Sequence, residues 1–302
     1  MSVASPLSAG DVPPARPQRR FTFAWLGVMP FLAFALAFLI LPTFYLFTNS
    51  FRNLQGNIGT NPAYGQPTID NYAHLTTPNI LDAYGASLEI SLITAIGGGI
   101  FGFLLAYAVI AGGLPKFLRG ALMTFSGVAS NFAGIPLALA FIFTLGASGL
   151  ITPLIKGVGW NLPTYSKTAL ELAYLYFQFP LMVLIIAPAI DGLKKDWREA
   201  AENMGATTFQ YWRHVALPIL TPSLLGAVIL LFGNAFGAQA TAYEMSGGTI
   251  NIVTIQITRQ LVGDVANDEG VGYSMAMGMV VIMAFSIVAY ALLQRRSERW
   301  MR

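Results

Sequence analysis

The chain has 302 residues, of which 10% are charged and 55% hydrophobic, and its mean hydropathy is +0.60. A soluble domain carries roughly 25% charged residues, because polar groups must cover its surface. The composition therefore excludes most soluble enzymes and predicts an all-α membrane protein with several spans. Cysteine is absent, which excludes disulfide scaffolds, cysteine metal sites and thiol nucleophiles.

Six apolar segments are long enough to cross a bilayer core of about 30 Å, which requires about 20 helical residues. They cover residues 21–47, 87–111, 121–146, 169–190, 219–236 and 273–293. The first segment is too long for the core of a signal peptide, so it predicts a retained transmembrane helix.

The remaining parts of the chain divide around these spans. Residues 1–20 are rich in Pro, Ser and Ala, and we expect them to be disordered on the cytoplasmic side. Residues 48–83 form an external loop, residues 84–293 form the main transmembrane domain, and residues 294–302 form a cytoplasmic tail.

The distribution of Lys and Arg predicts the orientation. With both termini in the cytoplasm, 13 of the 17 Lys and Arg residues lie inside and 4 lie outside. Cytoplasmic loops carry an excess of cations, so this orientation is favoured over its reverse. The net charge of +3 is thus a topology signal, and we expect no nucleic-acid partner.

The cytoplasmic connection 191–218 concentrates charge, with seven charged side chains among residues 191–202. Asp196 and Glu199 have the spacing of a capping box, which predicts a helix beginning near Trp197. Ala201 and Gly205 are four residues apart and would share one small, smooth face of that helix. Leu217-Pro218 predicts a break before the next span, because proline lacks a backbone donor.

The same connection resembles a known pattern. Glu199-Ala200-Ala201, then Gly205 after three residues, then Val215-Ala216-Leu217-Pro218 after nine more, is similar to the EAA loop of ABC importer permeases. The one departure is Val215, where the family pattern has Ile. The resemblance covers about residues 84–293, and it implies a type I importer transmembrane domain with six transmembrane helices and a cytoplasmic coupling helix.

The resemblance also implies partners and roles. Glu199, Ala200, Ala201, Gly205, Leu217 and Pro218 would couple the chain to a cytoplasmic dimer of ATP-binding subunits. The chain would pair with a second permease subunit, identical or paralogous, and receive solute from an extracytoplasmic binding protein at the bacterial inner membrane. It would itself be no enzyme and hold no cofactor. The alternative is a positively biased loop with an amphipathic helix and no docking role.

Polar side chains near or inside the spans are candidates for a translocation path, because such groups are costly in lipid. The candidates are Asn131, Gln178, Asn234, Gln239 and Glu244. The alternative for each is interhelical hydrogen bonding, typically worth under about 2 kcal/mol.

The build of the chain is similar to the polyamine branch of the family, so we expect spermidine or putrescine as the solute. Aminophosphonate, thiamine and ferric iron permeases have a similar build and remain alternatives. An ion-coupled secondary transporter would predict an inverted repeat and mid-membrane charges, and the sequence displays neither. An intramembrane enzyme is disfavoured because His74 and His214, which are the two histidines, lie outside the predicted spans.

Overall fold

The computed structural model describes residues 24–56, 59–112, 115–157, 159, 165–262 and 268–299, with side chains from residue 27 to residue 295 of these ranges. The predicted N-terminal segment 1–20 and the last three residues of the predicted tail lie outside the described residues.

The described residues confirm the all-α class. They contain two isolated β-bridges, Arg52 with Pro67 and Gln55 with Asp268, and no strand. The helices are α1 (Ala24–Ala35), α2 (Leu41–Ser50), α3 (Asp70–His74), α4 (Pro78–Ile110), α5 (Lys116–Ala129), α6 (Ile135–Leu145), α7 (Thr152–Gly157), α8 (Lys167–Asp191), α9 (Lys195–Asn203), α10 (Thr208–Tyr211), α11 (Leu217–Gly237), α12 (Ala240–Ser246), α13 (Val253–Val262) and α14 (Glu269–Arg299). Two π-helical turns, Leu36–Ile40 and Trp212–Ala216, join α1 to α2 and α10 to α11.

The chain divides into two compact units, with the boundary between Tyr45 and Leu46. The described part of the first unit is helical, and its large side chains are exposed, with Phe31 and Phe38 each 69% accessible. Such apolar exposure is typical of a lipid-facing helix. The second unit contains the remaining helices and the buried core.

Five helices among the described residues are long and apolar enough to span a membrane: Gly27–Ser50, Pro78–Ile110, Lys167–Asp191, Thr208–Gly237 and Glu269–Arg295. The predicted span 121–146 is instead divided into α5 and α6 by residues 130–134. Gly134 directly precedes α6 with φ +73°, a backbone conformation that glycine adopts without strain. Pro136 then stands at the start of α6, where its missing N–H costs nothing.

Helix α4 begins nine residues earlier than the apolar run indicates. Pro78 occupies its first turn, a favoured position for proline. At 1.5 Å per residue its 33 residues measure about 50 Å, so α4 is longer than the bilayer core is thick.

The core of the second unit lies around α8, which packs between α4 and α11. Met182, Val183 and Ile186 on α8 are completely buried. Gly102 on α4 allows this approach, because a Cβ there would lie 2.5 Å from both Cβ of Met182 and the carbonyl oxygen of Phe179. Small residues let membrane helices pack at close range, and this Gly102 contact is such a case.

Candidate functional site

Two salt bridges mark the two ends of the bundle. Arg119 at the start of α5 bonds to Asp191 at the end of α8 at 2.6 Å. Lys167 at the start of α8 bonds to Glu89 on α4 at 3.1 Å. The first pair joins groups predicted to be cytoplasmic and the second joins groups predicted to be external. Each pair therefore joins two helices at one end of the bundle, and which end faces the cytoplasm stays a prediction.

Helix α9 follows directly from the Asp191 end. It begins at Lys195 with Lys194 as N-cap and no side-chain cap, so the predicted capping box of Asp196 and Glu199 is wrong. Asp196 lies instead in the first turn, where a negative charge stabilises the helix dipole. Arg198 donates to Glu202 one turn later at 2.9 Å, and this hydrogen bond raises the pKa of Arg198.

The end of α9 is a Schellman motif. The N–H of Ala206 donates to the carbonyl of Ala201 at 3.0 Å, and that of Gly205 donates to Glu202 at 2.9 Å. Gly205 has φ +77°, in the left-handed region that this motif requires. Gly205 therefore lies past the helix, and the predicted face shared with Ala201 is wrong. A Cβ at Gly205 would meet no atom within 4 Å, so the glycine is required by the backbone and not by a lack of space.

A capping box begins α10 immediately after this turn. The Thr207 hydroxyl accepts from the N–H of Gln210, and the Gln210 side chain accepts from the N–H of Thr207. The Thr-x-x-Gln spacing is visible in the sequence and could have predicted this helix start. Together, the two motifs fix the turn between α9 and α10.

The EAA-like residues divide into buried and exposed groups. Ala201 is 5% exposed and packs in a small cluster with Tyr211 and Ala216. Glu199, Ala200 and Gly205 are exposed. A small residue at position 201 thus lets α9 lie close to the beginning of the next span.

Leu217 and Pro218 do not break the helix, so the break predicted there is wrong. A helical stretch runs from Thr208 to Gly237 and includes the π turn Trp212–Ala216. The N–H of Leu217 bonds five residues back to the carbonyl of Trp212. Proline at 218 cannot donate to the ladder, and the wider turn directly before it accommodates that loss. Leu217 and Pro218 are exposed on the span.

Two of the candidate path residues share a cavity. Asn234 near the end of α11 and Gln239 in the following break line an open cavity of about 520 Å³. The break between α5 and α6 meets the start of α12 on its wall: the N–H of Gly134 donates to Oγ1 of Thr241 at 2.9 Å, and that hydroxyl donates to the Gly134 carbonyl at 3.2 Å. Helix breaks that meet at a cavity are typical of transporter binding sites.

The other three candidates lie elsewhere. Gln178 is completely buried, and its amide donates to the carbonyl of Leu231 at 2.7 Å. Its surroundings match the alternative of interhelical hydrogen bonding. Asn131 is exposed in the α5–α6 break and donates to Gly127 at 2.8 Å. Glu244 is half-buried on α12 and does not line the cavity.

Titratable groups do not form a metal site within the described ranges, where no cluster of three or more His, Asp or Glu side chains occurs. The cavity around Asn234 is lined by neutral residues only. The cavity can therefore bind a solute through hydrogen bonds to neutral side chains and not through ion pairs.

A bundle of membrane-crossing helices, with an open polar cavity beside a helix break and an exposed helix pair, α9–α10, at one end, has the features expected of the membrane component of a transport system. The chain belongs to the family of binding-protein-dependent transport system inner membrane components, whose family model matches residues 98–302. This is a family of transporter components, not of enzymes.

Sulfate permeases are among the curated relatives of the chain. The probable sulfate transport system permease protein cysT of Nephroselmis olivacea is 25% identical over 60% of this chain and 63% of its own length. The sulfate transport system permease protein CysT of Salmonella typhimurium is 28% identical over 57% of this chain and 61% of its own length. The chain thus spans about three-fifths of the length of the relatives it matches.

Solved structures of ABC importers share the fold. A bacterial ABC transporter involved in the import of the acidic polysaccharide alginate matches with a TM-score of 0.69 at 16% identity, over 90% of this chain and 95% of its own. A chain of the MetNI methionine ABC transporter matches with a TM-score of 0.53 at 18% identity, over 72% and 96%. The predicted type I importer fold is therefore confirmed.

The expected likeness to the polyamine branch is not supported, because these relatives are named for sulfate. The prediction rested on the six predicted spans, the long first external loop and the stretch 247–257, and the first two are features that many members of one fold share. Those features report how the chain crosses the membrane and carry little information about the solute.

Proposed function

We propose that the chain is the permease subunit of an ATP-driven, binding-protein-dependent importer and forms half of its translocation pathway. The observation that carries this proposal is the α9–α10 segment, whose turn is held by the Schellman motif and the capping box. The segment lies exposed at one end of the bundle and continues directly into a span. The partners are a dimer of ATP-binding subunits, a second permease subunit, identical or paralogous, and an extracytoplasmic binding protein. Both termini lie in the cytoplasm.

The coupling role follows from how α9 is attached. Its buried face packs on Tyr211 and Ala216, and Leu193 and Trp212 belong both to this cluster and to the core around α8. Tightly packed interiors transmit displacement because they have little free volume. A partner that moves α9 therefore moves the inner ends of the neighbouring spans.

The translocation path passes the cavity beside Asn234 and Gln239. The amide of Asn234 is exposed within a membrane-spanning helix, where a polar group facing lipid would be costly. A water-filled path, closed on its open side by the second permease subunit, satisfies that group. The other three candidates, Gln178, Asn131 and Glu244, do not line this cavity, and we leave them out of the proposed path.

We assign sulfate as the solute, with the named relatives as the main support. The cavity adds a chemical argument, because its lining contains amide and hydroxyl donors and no carboxylate. Neutral donors can hold an oxyanion by hydrogen bonds, whereas an ammonium group of a polyamine is held most strongly by a carboxylate.

The proposal is tested by uptake into proteoliposomes that contain the full complex, its binding protein and internal ATP. We expect accumulation of labelled sulfate that needs both ATP and the binding protein. Unlabelled sulfate should compete, while spermidine, putrescine, thiamine, aminophosphonate and ferric iron should not. Competition by one of these solutes alone would replace the sulfate assignment and leave the importer assignment intact.

A further inference from the structure

Three large apolar side chains of the α9–α10 segment are exposed, and two of them, Met204 and Phe209, project much further than Trp197, which is 37% exposed. Met204 is 81% exposed at the end of α9, and Phe209 is 71% exposed in the first turn of α10. Both lie in a connection that is otherwise dominated by charged and polar residues. Isolated exposed apolar residues are common, but two on one fixed turn of a charged loop indicate a contact surface.

The turn that carries these side chains is rigid. Gly205 and Ala206 close the Schellman motif on one side, and Thr207 and Gln210 close the capping box on the other. Ala201 and Tyr211 fix both helices from the inside. Met204 and Phe209 are thus presented before any partner arrives, and preorganisation lowers the entropic cost of binding.

The charge around the turn argues against the bilayer as the surface that covers it. From residue 194 to residue 203 the loop carries three cations and three acids, Lys194, Lys195, Arg198, Asp196, Glu199 and Glu202. Attachment to the anionic inner leaflet is driven by an excess of Lys and Arg, and this segment has none. Glu199 is exposed and pairs with no described cation, which suits a basic group on a protein partner.

We propose that Met204 and Phe209 form the apolar contact that docks the chain onto its ATP-binding subunit, with Glu199 at the rim. The inference rests on the proposed function, and it changes which residues of the segment bind. Ala201 and Gly205 are positioning residues: the first anchors α9 internally and the second makes the turn. The partner must offer an apolar pocket flanked by a basic residue.

The absence of cysteine from the sequence makes the contact directly measurable. Met204→Cys and Phe209→Cys each introduce a single thiol into the full-length chain, and Lys116→Cys places a control thiol at the same end of the bundle. Maleimide labelling is followed in inside-out membrane vesicles that contain the co-expressed ATP-binding subunit, and again after that subunit is stripped. We expect labelling at 204 and 209 to be about tenfold slower when the subunit is present, and labelling at 116 to be unchanged.

Substitutions provide the second measurement. Met204→Ser with Phe209→Ser should weaken retention of the ATP-binding subunit about tenfold, while Met204→Leu with Phe209→Leu should stay within about twofold of wild type. Because both side chains are exposed, neither pair removes packing from the core.

The outcomes separate two kinds of failure. If the wild-type chain retains no ATP-binding subunit, the proposed function fails. If wild type retains it but the serine pair does so equally, and both thiols label equally fast with and without it, the docking inference alone fails. Slow labelling at 204 and 209 in stripped vesicles would show that the bilayer covers them, and would overturn the inference as well.

Discussion

The indole ring of Trp212 meets the ring of Tyr107 edge-on, with centroids 4.5 Å apart and planes at 88°. Phe103, one turn earlier on α4, lies 6.3 Å from the same indole at 79°. Trp212 begins the π turn that leads from α10 into α11. The α9–α10 segment is therefore attached to α4 by aromatic contacts, as well as to α11 by chain continuity.

This relationship predicts that Trp212→Ala uncouples ATP hydrolysis from transport. Each aromatic pair is worth about 0.5–1.5 kcal/mol beyond its buried area, so losing both frees α10 from α4. We expect the complex to assemble and hydrolyse ATP, with a much smaller amount of solute imported per ATP. Trp212→Phe keeps an edge-on contact and should retain part of the coupling. Equal import per ATP in wild type and Trp212→Ala would show that coupling between ATP hydrolysis and transport does not depend on the contact of Trp212 with α4.

Gly205 gives a test that separates backbone strain from steric fit. A side chain at φ +77° costs about 1–2 kcal/mol for Ala and less for Asn, which tolerates the left-handed region. We therefore expect Gly205→Asn to support more uptake than Gly205→Ala, although Asn is larger. The reverse order would mean that side-chain size at a docking surface decides, and would contradict the assignment of Gly205 to the turn.

Gly102 is predicted to be essential for helix packing. Because its Cβ would lie 2.5 Å from the backbone oxygen of Phe179, Gly102→Ala should destabilise the α4–α8 pair by about 1–3 kcal/mol. Gly85 on the same helix has open space around its Cβ position, so Gly85→Ala is the matched control. Thermal unfolding of the purified chain in detergent should show a lower midpoint for Gly102→Ala and an unchanged or higher one for Gly85→Ala. Identical midpoints for the two variants would contradict the packing account.

Gln178 and Asn234 should respond in opposite ways. Gln178→Met removes one interhelical hydrogen bond and an Oε1 atom that has no partner within the described structure, so stability should change by only about 1 kcal/mol and uptake should persist. Asn234→Leu fills the cavity wall with an apolar group and should lower uptake without unfolding the chain. Solute uptake and unfolding midpoints measured on both variants test this prediction. Loss of uptake in Gln178→Met but not in Asn234→Leu would show that Gln178, and not Asn234, lines the path.

The sequence predicted the class of fold because hydrophobicity over about 20 residues is a strong signal. It did not predict the division between α5 and α6, since the Asn131–Gly134 break lies inside an apolar run. It predicted the place of α9 correctly and its start incorrectly, because Asp196 lies within the first turn and does not cap it. The Thr207–Gln210 capping box is visible in the sequence and marks the start of the helical stretch Thr208–Gly237, in which the break predicted at Leu217-Pro218 does not occur.

The residues of the site were harder to predict than its location. In a helix that is apolar on every side, periodicity does not show which polar group faces a neighbour and which faces a path. Gln178 and Asn234 therefore looked alike in sequence, although one is buried and the other exposed. Similarly, the motif alone could not distinguish Ala201, which packs inside, from Met204, which projects outward.

The central claim is that the chain is a permease subunit driven through the segment 195–211, and ATP-dependent sulfate uptake by the wild-type and Ala201→Leu complexes tests it most directly. Ala201 is 5% exposed and packs with Tyr211 and Ala216, so we expect the larger Leu side chain to overpack this cluster by about 1–3 kcal/mol and to displace α9. The account predicts uptake in wild type, and at least about tenfold less uptake in Ala201→Leu with ATP hydrolysis retained. Full uptake by Ala201→Leu, or no ATP-dependent uptake of any tested solute by wild type, would contradict it.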